Sequence, residues 1–240
     1  MPAAVPALSF SLHLQPVSRM ERLAIESCID AGYEHRGYAY GDPNKLGTLP
    51  VPANYHDANK IFPESMVPKD PEAQQKFALA FMCRAMYTHG GLWIDNDYVL
   101  TRPMPQSPFL AVRDPDRDGL STFALRLPAG STVARLAMQT AETKLKKAAF
   151  PAVVLMDSIL SNWPVRSDAR ILTAAEACPF GRKHAQMLIN PAPELDQERV
   201  YGYKLWRHVW EHEDCTPSSK FHHMSPYEQL WGRYFGMREK

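Results

Sequence analysis

Two aspartates one residue apart, Asp95 and Asp97, are the residues of this 240-residue chain best placed to do chemistry. They directly follow Leu92–Ile94, an apolar run that is typical of a buried strand. Open α/β sheets bind ligands at the carboxyl ends of their strands. Carboxylate oxygens there are suitable ligands for a hard divalent cation, which can neutralise charge on a diphosphate leaving group. An Asp-x-Asp triplet alone also fits a polar turn, because Asp and Asn are common turn residues.

The elements before the aspartates predict a parallel α/β sheet that positions them. Residues 8–14 alternate apolar and polar side chains, which predicts a half-buried strand. Ser18 and Glu21 match a capping box, so a helix is expected from there to about residue 31, and a second strand over 36–40. A further helix over 72–89 ends on two glycines and leads into the strand that carries the aspartates.

The rest of the chain extends this pattern to one domain over residues 1–240, with a mixed, mostly parallel sheet flanked by helices. Residues 41–70 hold many prolines and little periodicity, which predicts a long ordered loop. The charged loop over 113–118 is expected to be solvated, although its position after a strand can bring it beside a bound substrate. Strands are predicted near 109–113, 121–127 and 170–173, and helices near 132–147, 153–162, 205–212 and 226–236.

The composition excludes some classes of protein. Lys plus Arg total 27 and Asp plus Glu total 26, and this balance argues against a sequence-wide nucleic-acid or membrane-surface role. No apolar stretch approaches ~18 residues, so no membrane span is expected. The four cysteines form no C-x-x-C motif, which favours a reduced, cytoplasmic setting with the thiols in the core. They are Cys28, Cys83, Cys178 and Cys215.

The block over residues 77–103, which contains Asp95 and Asp97, resembles the DXD-motif glycosyltransferases of the GT-A fold. The resemblance is greatest to family 32, which includes bacterial capsular-polysaccharide enzymes, yeast mannosyltransferases and lactosylceramide galactosyltransferases. It extends at low identity over nearly the whole chain. The supporting segments are 10–18, 21–31, 32–33, 38–40, 57–58, 126–131, 205–210 and 225–231.

The resemblance implies transfer of a hexose from a nucleotide-sugar donor to a saccharide or another acceptor, with retention of anomeric configuration. It implies Mn²⁺ or Mg²⁺ on the diphosphate, with Asp97 as the direct ligand. Asp95 would contact the ribose or sugar of the donor, and the metal through water. Trp93 occupies the position of an aromatic residue near the donor. No residue is assigned as a catalytic base or nucleophile.

The sequence departs from the family at several donor-site positions. Leu79 and Met82 replace polar residues that hold the sugar, and neither can form those hydrogen bonds. Where the family has a metal-approaching histidine, this chain has Lys204, followed by Arg207.

These departures leave two hypotheses open. In one, the chain is an enzyme in which Lys204 and Arg207 take over part of the charge neutralisation on the diphosphate. In the other, it is a catalytically silent relative that binds, scaffolds or regulates. For either cation taken alone, an ordinary surface salt bridge is the simpler interpretation. The persistence of both aspartates favours the enzyme.

A second motif predicts different chemistry. His208, Glu211 and His212 match the HxxEH arrangement of zinc peptidases, in which two histidines share one helix face. A third zinc ligand would then have to come from the short tail, from His222, His223 or Glu228. The alternative is a solvated helix face. The family resemblance gives this helix another purpose, so the peptidase is the least favoured hypothesis.

Overall fold

A seven-stranded mixed sheet forms the centre of the computed structural model, which describes residues 8–47, 49–50, 53–145, 152–164, 168–192, 195–210 and 215–236. The strands are β1 Leu8–His13, β2 Glu34–Ala39, β3 Asn54–Asp57, β4 Leu92–Ile94, β5 Tyr98–Leu100, β6 Phe109–Arg113, β7 Leu120–Arg126, β8 Ala169–Leu172 and β9 Gly202–Lys204. The sheet has the order β3-β2-β1-β4-β7-β6-β8, and β5 and β9 form a separate two-stranded ribbon.

The strand directions confirm the predicted fold class. Neighbours are parallel in the pairs β1–β2, β2–β3, β1–β4 and β6–β8. They are antiparallel in β4–β7 and β6–β7. The sheet is therefore mixed and mostly parallel, in agreement with a GT-A-like arrangement.

Helices cover both faces of the sheet. They are α1 Arg19–Asp30, α2 Pro71–His89, α3 Thr132–Leu145, α4 Ala152–Ser161, α5 Ala174–Ala177, α6 Arg207–Trp210 and α7 Pro226–Phe235. One core contains side chains of α1, α7 and the β5–β9 ribbon, and the other contains those of α2, α3 and α4. Side chains of β4 alternate between the cores, with Leu92 and Ile94 in the first and Trp93 in the second. No described helix is long and apolar enough to cross a membrane.

The prediction that the first strand is half-buried is wrong, because all six residues of β1 are buried. The apolar side of β1 packs into the core under α2, and on its polar side Ser9 lies against Cys28 of α1. The strand also has parallel partners on both edges. A central strand covered on both faces buries its polar side chains too, provided that they find hydrogen-bond partners.

Sequence patterns located the helix ends well. The capping box at Ser18 and Glu21 is present, with the serine side chain accepting from the Glu21 amide at 3.2 Å. Gly90 ends α2 at φ 65°, and Gly91 follows at φ 98°. A Cβ on Gly91 would lie 2.8 Å from the carbonyl oxygen of Leu8, so this pair is required for α2 to lead closely into β4.

Three short strands were not predicted. The expected loop over 41–70 contains β3, which pairs with the edge of β2, and short 3₁₀ turns. Both strands of the β5–β9 ribbon were missed as well, because three-residue segments are too short to show a period. The predicted helix over 205–212 is described only as α6, and residues 211 and 212 lie outside the described residues. The cysteines are free, and Cys28, Cys83 and Cys178 are buried as expected.

Candidate active site

A tight turn at the carboxyl end of β4 carries the two aspartates. The amide of Asp95 donates to the carbonyl of Phe123 on β7 at 2.9 Å. The amide of Tyr98 donates back to the carbonyl of Asp95 at 3.0 Å. Between the aspartates, the side-chain amide of Asn96 donates to the carbonyl of Leu12 at 2.9 Å. The turn is therefore tied to β1, β4 and β7 at once.

The β5–β9 ribbon brings Lys204 to Asp97 and Asp95, which lie 107 and 109 residues before it in the chain. Lys204 pairs with Tyr98 in the ribbon. Its ammonium donates to Asp95 Oδ2 at 2.7 Å and also to Asp97 Oδ1. We call Asp95, Lys204 and Asp97 the Asp–Lys–Asp triad. Only 10% of the Lys204 side chain is exposed, so the surface salt bridge considered from the sequence is in fact a buried ion pair.

The other carboxylate oxygens of the triad also accept hydrogen bonds. Trp93 Nε1 donates to Asp95 Oδ1 at 3.1 Å. The backbone amide of Arg207 donates to Asp97 Oδ2 at 3.0 Å. The guanidinium of Arg207 instead has its Nη1 3.5 Å from Glu21 Oε1, on the first helix. The structure thus brings all five predicted donor and metal residues together, with Arg207 contributing its backbone.

Burial and charge oppose each other in the triad, and charge decides the direction of both shifts. Burial alone would lower the pKa of Lys204, but the two carboxylates raise it above its ordinary value. Burial alone would raise the pKa of Asp97, but Lys204 and the amide of Arg207 hold it below its ordinary value. Each charged form is stabilised by the other, as in other buried ion pairs.

The donor set as it stands does not fit a divalent cation between the two carboxylates. The ammonium of Lys204 already bridges them, and each of the four oxygens accepts a hydrogen bond from the protein. Within the described ranges, no group of three or more His, Cys, Asp or Glu side chains could hold a metal ion. The Mn²⁺ or Mg²⁺ expected from the sequence stays a prediction.

A cleft of about 840 Å³ opens beside the triad. Helix α2 contributes an apolar wall that contains Leu79 and Met82, the two positions where polar residues were expected. Trp93 and Lys204 also line the cleft. Among the described α2 residues that line the cleft, only Gln75 carries a hydrogen-bonding side chain.

Charged side chains of two loops line another part of the cleft. The loop over 113–118, expected to be solvated, contributes Asp114, Asp116 and Arg117. Asp116 Oδ2 accepts from the backbone amide of Arg182 at 2.7 Å, which joins this loop to the 3₁₀ segment Arg182–Leu188. Arg182 and Lys183 are exposed and line the cleft. Sequence reasoning missed both, because the segment shows neither a motif nor a period.

Trp206 has a left-handed backbone conformation, with φ 57°, the only such non-glycine residue in the described part of the chain. Its indole donates to the carbonyl of Phe180 at 2.7 Å, and its ring packs edge-on against Phe123 at 6.4 Å. This bend, two residues after Lys204, lets the chain present the amide of Arg207 to Asp97. A strained residue held in place by its surroundings is typical of functional sites.

The zinc-peptidase motif is only partly described. His208 lines the cleft and its ring lies edge-on to Trp206, whereas Glu211 and His212 lie outside the described residues. Glu228, a suggested third ligand, forms a two-point ion pair with Arg19 at 2.6 and 2.7 Å. The rings of His222 and His223 lie 4.3 Å apart, centroid to centroid.

Comparisons with known proteins give no family. No protein-family model matches the chain, and no curated protein matches it. Among solved structures, the chain is similar to one described as PaToxG glycosyltransferase, with 11% identity and a TM-score of 0.46. The similarity covers 66% of this chain and 70% of that one. This likeness is too distant to assign an activity.

Proposed function

We propose that the chain is a glycosyltransferase that binds a nucleotide-sugar donor in the cleft beside the Asp–Lys–Asp triad. The observation that supports this function best is the position of Asp95 and Asp97. They lie at the carboxyl end of β4, where the sheet order places β2 and β4 on opposite sides of β1. Such a switch in strand order is where open α/β sheets bind nucleotides.

The cleft has the chemistry that a nucleotide sugar requires. Arg182 and Lys183 supply positive charge for a diphosphate, and Trp93, which is 5% exposed, adds an aromatic side chain to the lining of the cleft. The apolar wall at Leu79 and Met82 favours a hexose that turns a hydroxyl-poor side, such as a deoxy or N-acyl position, toward α2. Retention of configuration and a saccharide acceptor remain part of the proposal.

Donor binding tests this proposal directly. A panel of nucleotide sugars, with and without Mn²⁺, is screened by thermal shift, and the binders are measured by calorimetry. We expect one donor class to bind, and Asp97→Ala to weaken it about tenfold or more, because Lys204 loses the partner that positions it. Asp30→Ala is the matched control, since this exposed carboxylate ends α1, away from the cleft. Equal donor affinities for wild type and Asp97→Ala would contradict donor binding beside the Asp–Lys–Asp triad.

A catalytically silent binding or scaffold protein is the second candidate. It is favoured by the internal neutralisation of the two carboxylates by Lys204 and by the loss of polar groups at Leu79 and Met82. Product analysis separates the candidates. An enzyme releases nucleoside diphosphate from the bound donor by slow hydrolysis or by transfer, whereas a silent relative binds the donor and releases none.

A further inference from the structure

The position between the two aspartates is already taken by a positive charge that belongs to the protein. Lys204 Nζ contacts both carboxylates, and the same side chain lines the cleft. An ammonium has three N–H donors, and the two aspartates use two of them. The third donor is left for an anionic oxygen that binds in the cleft, which Lys204 lines.

We infer that the ammonium of Lys204 replaces the divalent cation, so that this chain binds the diphosphate of its donor without a metal. The inference rests on the proposed function and adds the charge chemistry of that site. Two carboxylates and one ammonium leave one negative charge, whereas two carboxylates and a divalent cation would leave none. A metal-free site therefore needs further cations near the diphosphate.

Arg182 and Lys183 are the side chains placed to supply that charge. Both are exposed and line the same cleft as Lys204. The guanidinium carbon of Arg182 lies 5.9 Å from the ring of Trp206, two residues beyond Lys204. A guanidinium can bind a phosphate through two parallel hydrogen bonds, and an ammonium binds it as a point charge.

The ribbon keeps Lys204 in this position. Gly202, two residues before it, packs so closely that a Cβ would lie 2.6 Å from the carbonyl oxygen of Val99. After Lys204, the amide of Leu205 donates to the carbonyl of Asp97 at 2.7 Å. A metal would have to displace a side chain whose backbone is fixed on both sides and whose charge is held by two carboxylates.

Titration with Mn²⁺ alone tests whether the ammonium of Lys204 takes the place of a divalent cation. Free Mn²⁺ is followed by electron paramagnetic resonance in the presence of the whole chain. We expect no stoichiometric binding by wild type, and a new Mn²⁺ site in Lys204→Gln, where the carboxylates lose their cation. Asp97→Asn added to Lys204→Gln should abolish that site, and Lys60→Gln, at an exposed lysine, should resemble wild type.

Two results would overturn the replacement of the cation by Lys204. One is a wild type that binds one Mn²⁺ per chain and loses it in Asp97→Asn. The other is a folded Lys204→Gln chain that binds no Mn²⁺. Circular dichroism shows whether Lys204→Gln folds, and if it does not, the comparison of wild type with Asp97→Asn decides the question.

Donor affinity in EDTA and in Mn²⁺ tests whether the chain binds the diphosphate of its donor without a metal. We expect the two affinities to agree within about twofold, and Arg182→Gln with Lys183→Gln to weaken binding about tenfold in EDTA. A donor that binds only with Mn²⁺ would overturn the inference and leave the proposed function intact. No binding by any donor in either condition would overturn the proposed function and the diphosphate role of Lys204 together.

Discussion

Two polar clusters, one beyond the carboxyl end of β4 and the other within the seven-stranded sheet, are held in different ways. One is the Asp–Lys–Asp triad beside the cleft. The other is a network of Ser9, Ser11, His13 and His35 on β1 and β2, which has no net charge when its histidines are neutral. The triad joins charges from distant parts of the chain, whereas the network joins side chains of two neighbouring strands.

Strand register forms the hydrogen bonds of the network, and within it only His13 Nδ1 is left without a partner among the described residues. Ser9 pairs with His35 across the parallel strands, and its hydroxyl lies 3.0 Å from His35 Nδ1. The hydroxyl of Ser11 lies 2.9 Å from His13 Nε2 and 3.1 Å from His35 Nε2. Burial lowers the pKa of His13 to about 4 and that of His35 to about 3, which keeps both neutral.

The comparison shows that neutral polar groups and charged groups need different partners in order to be buried. A neutral network needs only hydrogen-bond partners, and adjacent strands supply them. A buried charge needs an opposite charge at close range, which here comes through a separate ribbon. We therefore expect the network to respond to acid and the triad to respond to the loss of one partner.

The largest expected effect breaks the triad. Lys204→Met leaves the buried carboxylate of Asp97 and the partly buried carboxylate of Asp95 without their cation, so the free energy of unfolding should fall by about 3–5 kcal/mol. Urea denaturation at neutral pH measures the change, with Lys60→Met as the exposed control. A loss below about 1 kcal/mol, the range of a surface ion pair, would show that the triad is not a buried charge cluster.

The next effect acts on the ribbon. Gly202→Ala places a Cβ 2.6 Å from the carbonyl oxygen of Val99, so it should cost about 1–3 kcal/mol and weaken donor binding by moving Lys204. Gly232→Ala on α7 is the matched control, because a Cβ there meets nothing within 4 Å. Similar stability losses in both variants would contradict the tight packing of the ribbon.

Acid should destabilise the network first. Its histidines titrate at about 3 and 4 in the folded chain but near 6.5 when unfolded. Their contribution to stability is therefore complete above pH 6.5 and is lost as the pH falls toward these lower values. His35→Gln should reduce the slope of stability against pH in this window by at most about 1.4 kcal/mol per pH unit. An unchanged slope in His35→Gln would mean that folding does not shift the pKa of His35.

The triad responds at lower pH. Asp97, whose pKa is lowered from 3.8, loses its contribution to stability only below that pH.

The smallest effect concerns Arg207. Because its backbone amide, and not its guanidinium, contacts Asp97, Arg207→Ala should change stability by no more than about 1 kcal/mol and leave donor affinity within about twofold. Scanning calorimetry measures the stability and titration calorimetry measures the donor affinity, each in parallel with the Lys204→Met variant. A tenfold loss of donor affinity would restore Arg207 as a side-chain ligand of the donor.

The sequence by itself determined the features that depend on neighbours along the chain. The capping box at Ser18, the glycine pair at the end of α2 and the buried strand before Asp95 all follow from local steric and hydrogen-bond requirements. Those features are sufficient to predict a mixed α/β sheet and the location of the aspartates. The family resemblance identified Lys204 as a departure, without showing what its ammonium contacts.

Only the tertiary structure decided the environment of these residues. The contact between Lys204 and the aspartates depends on a three-residue pairing between segments more than 100 residues apart, which no local pattern encodes. The burial of β1 on both faces and the arrival of Arg182 and Lys183 at the cleft likewise depend on packing among distant elements. Short strands gain their stability from the partners they meet, and those partners are fixed only when the whole chain folds.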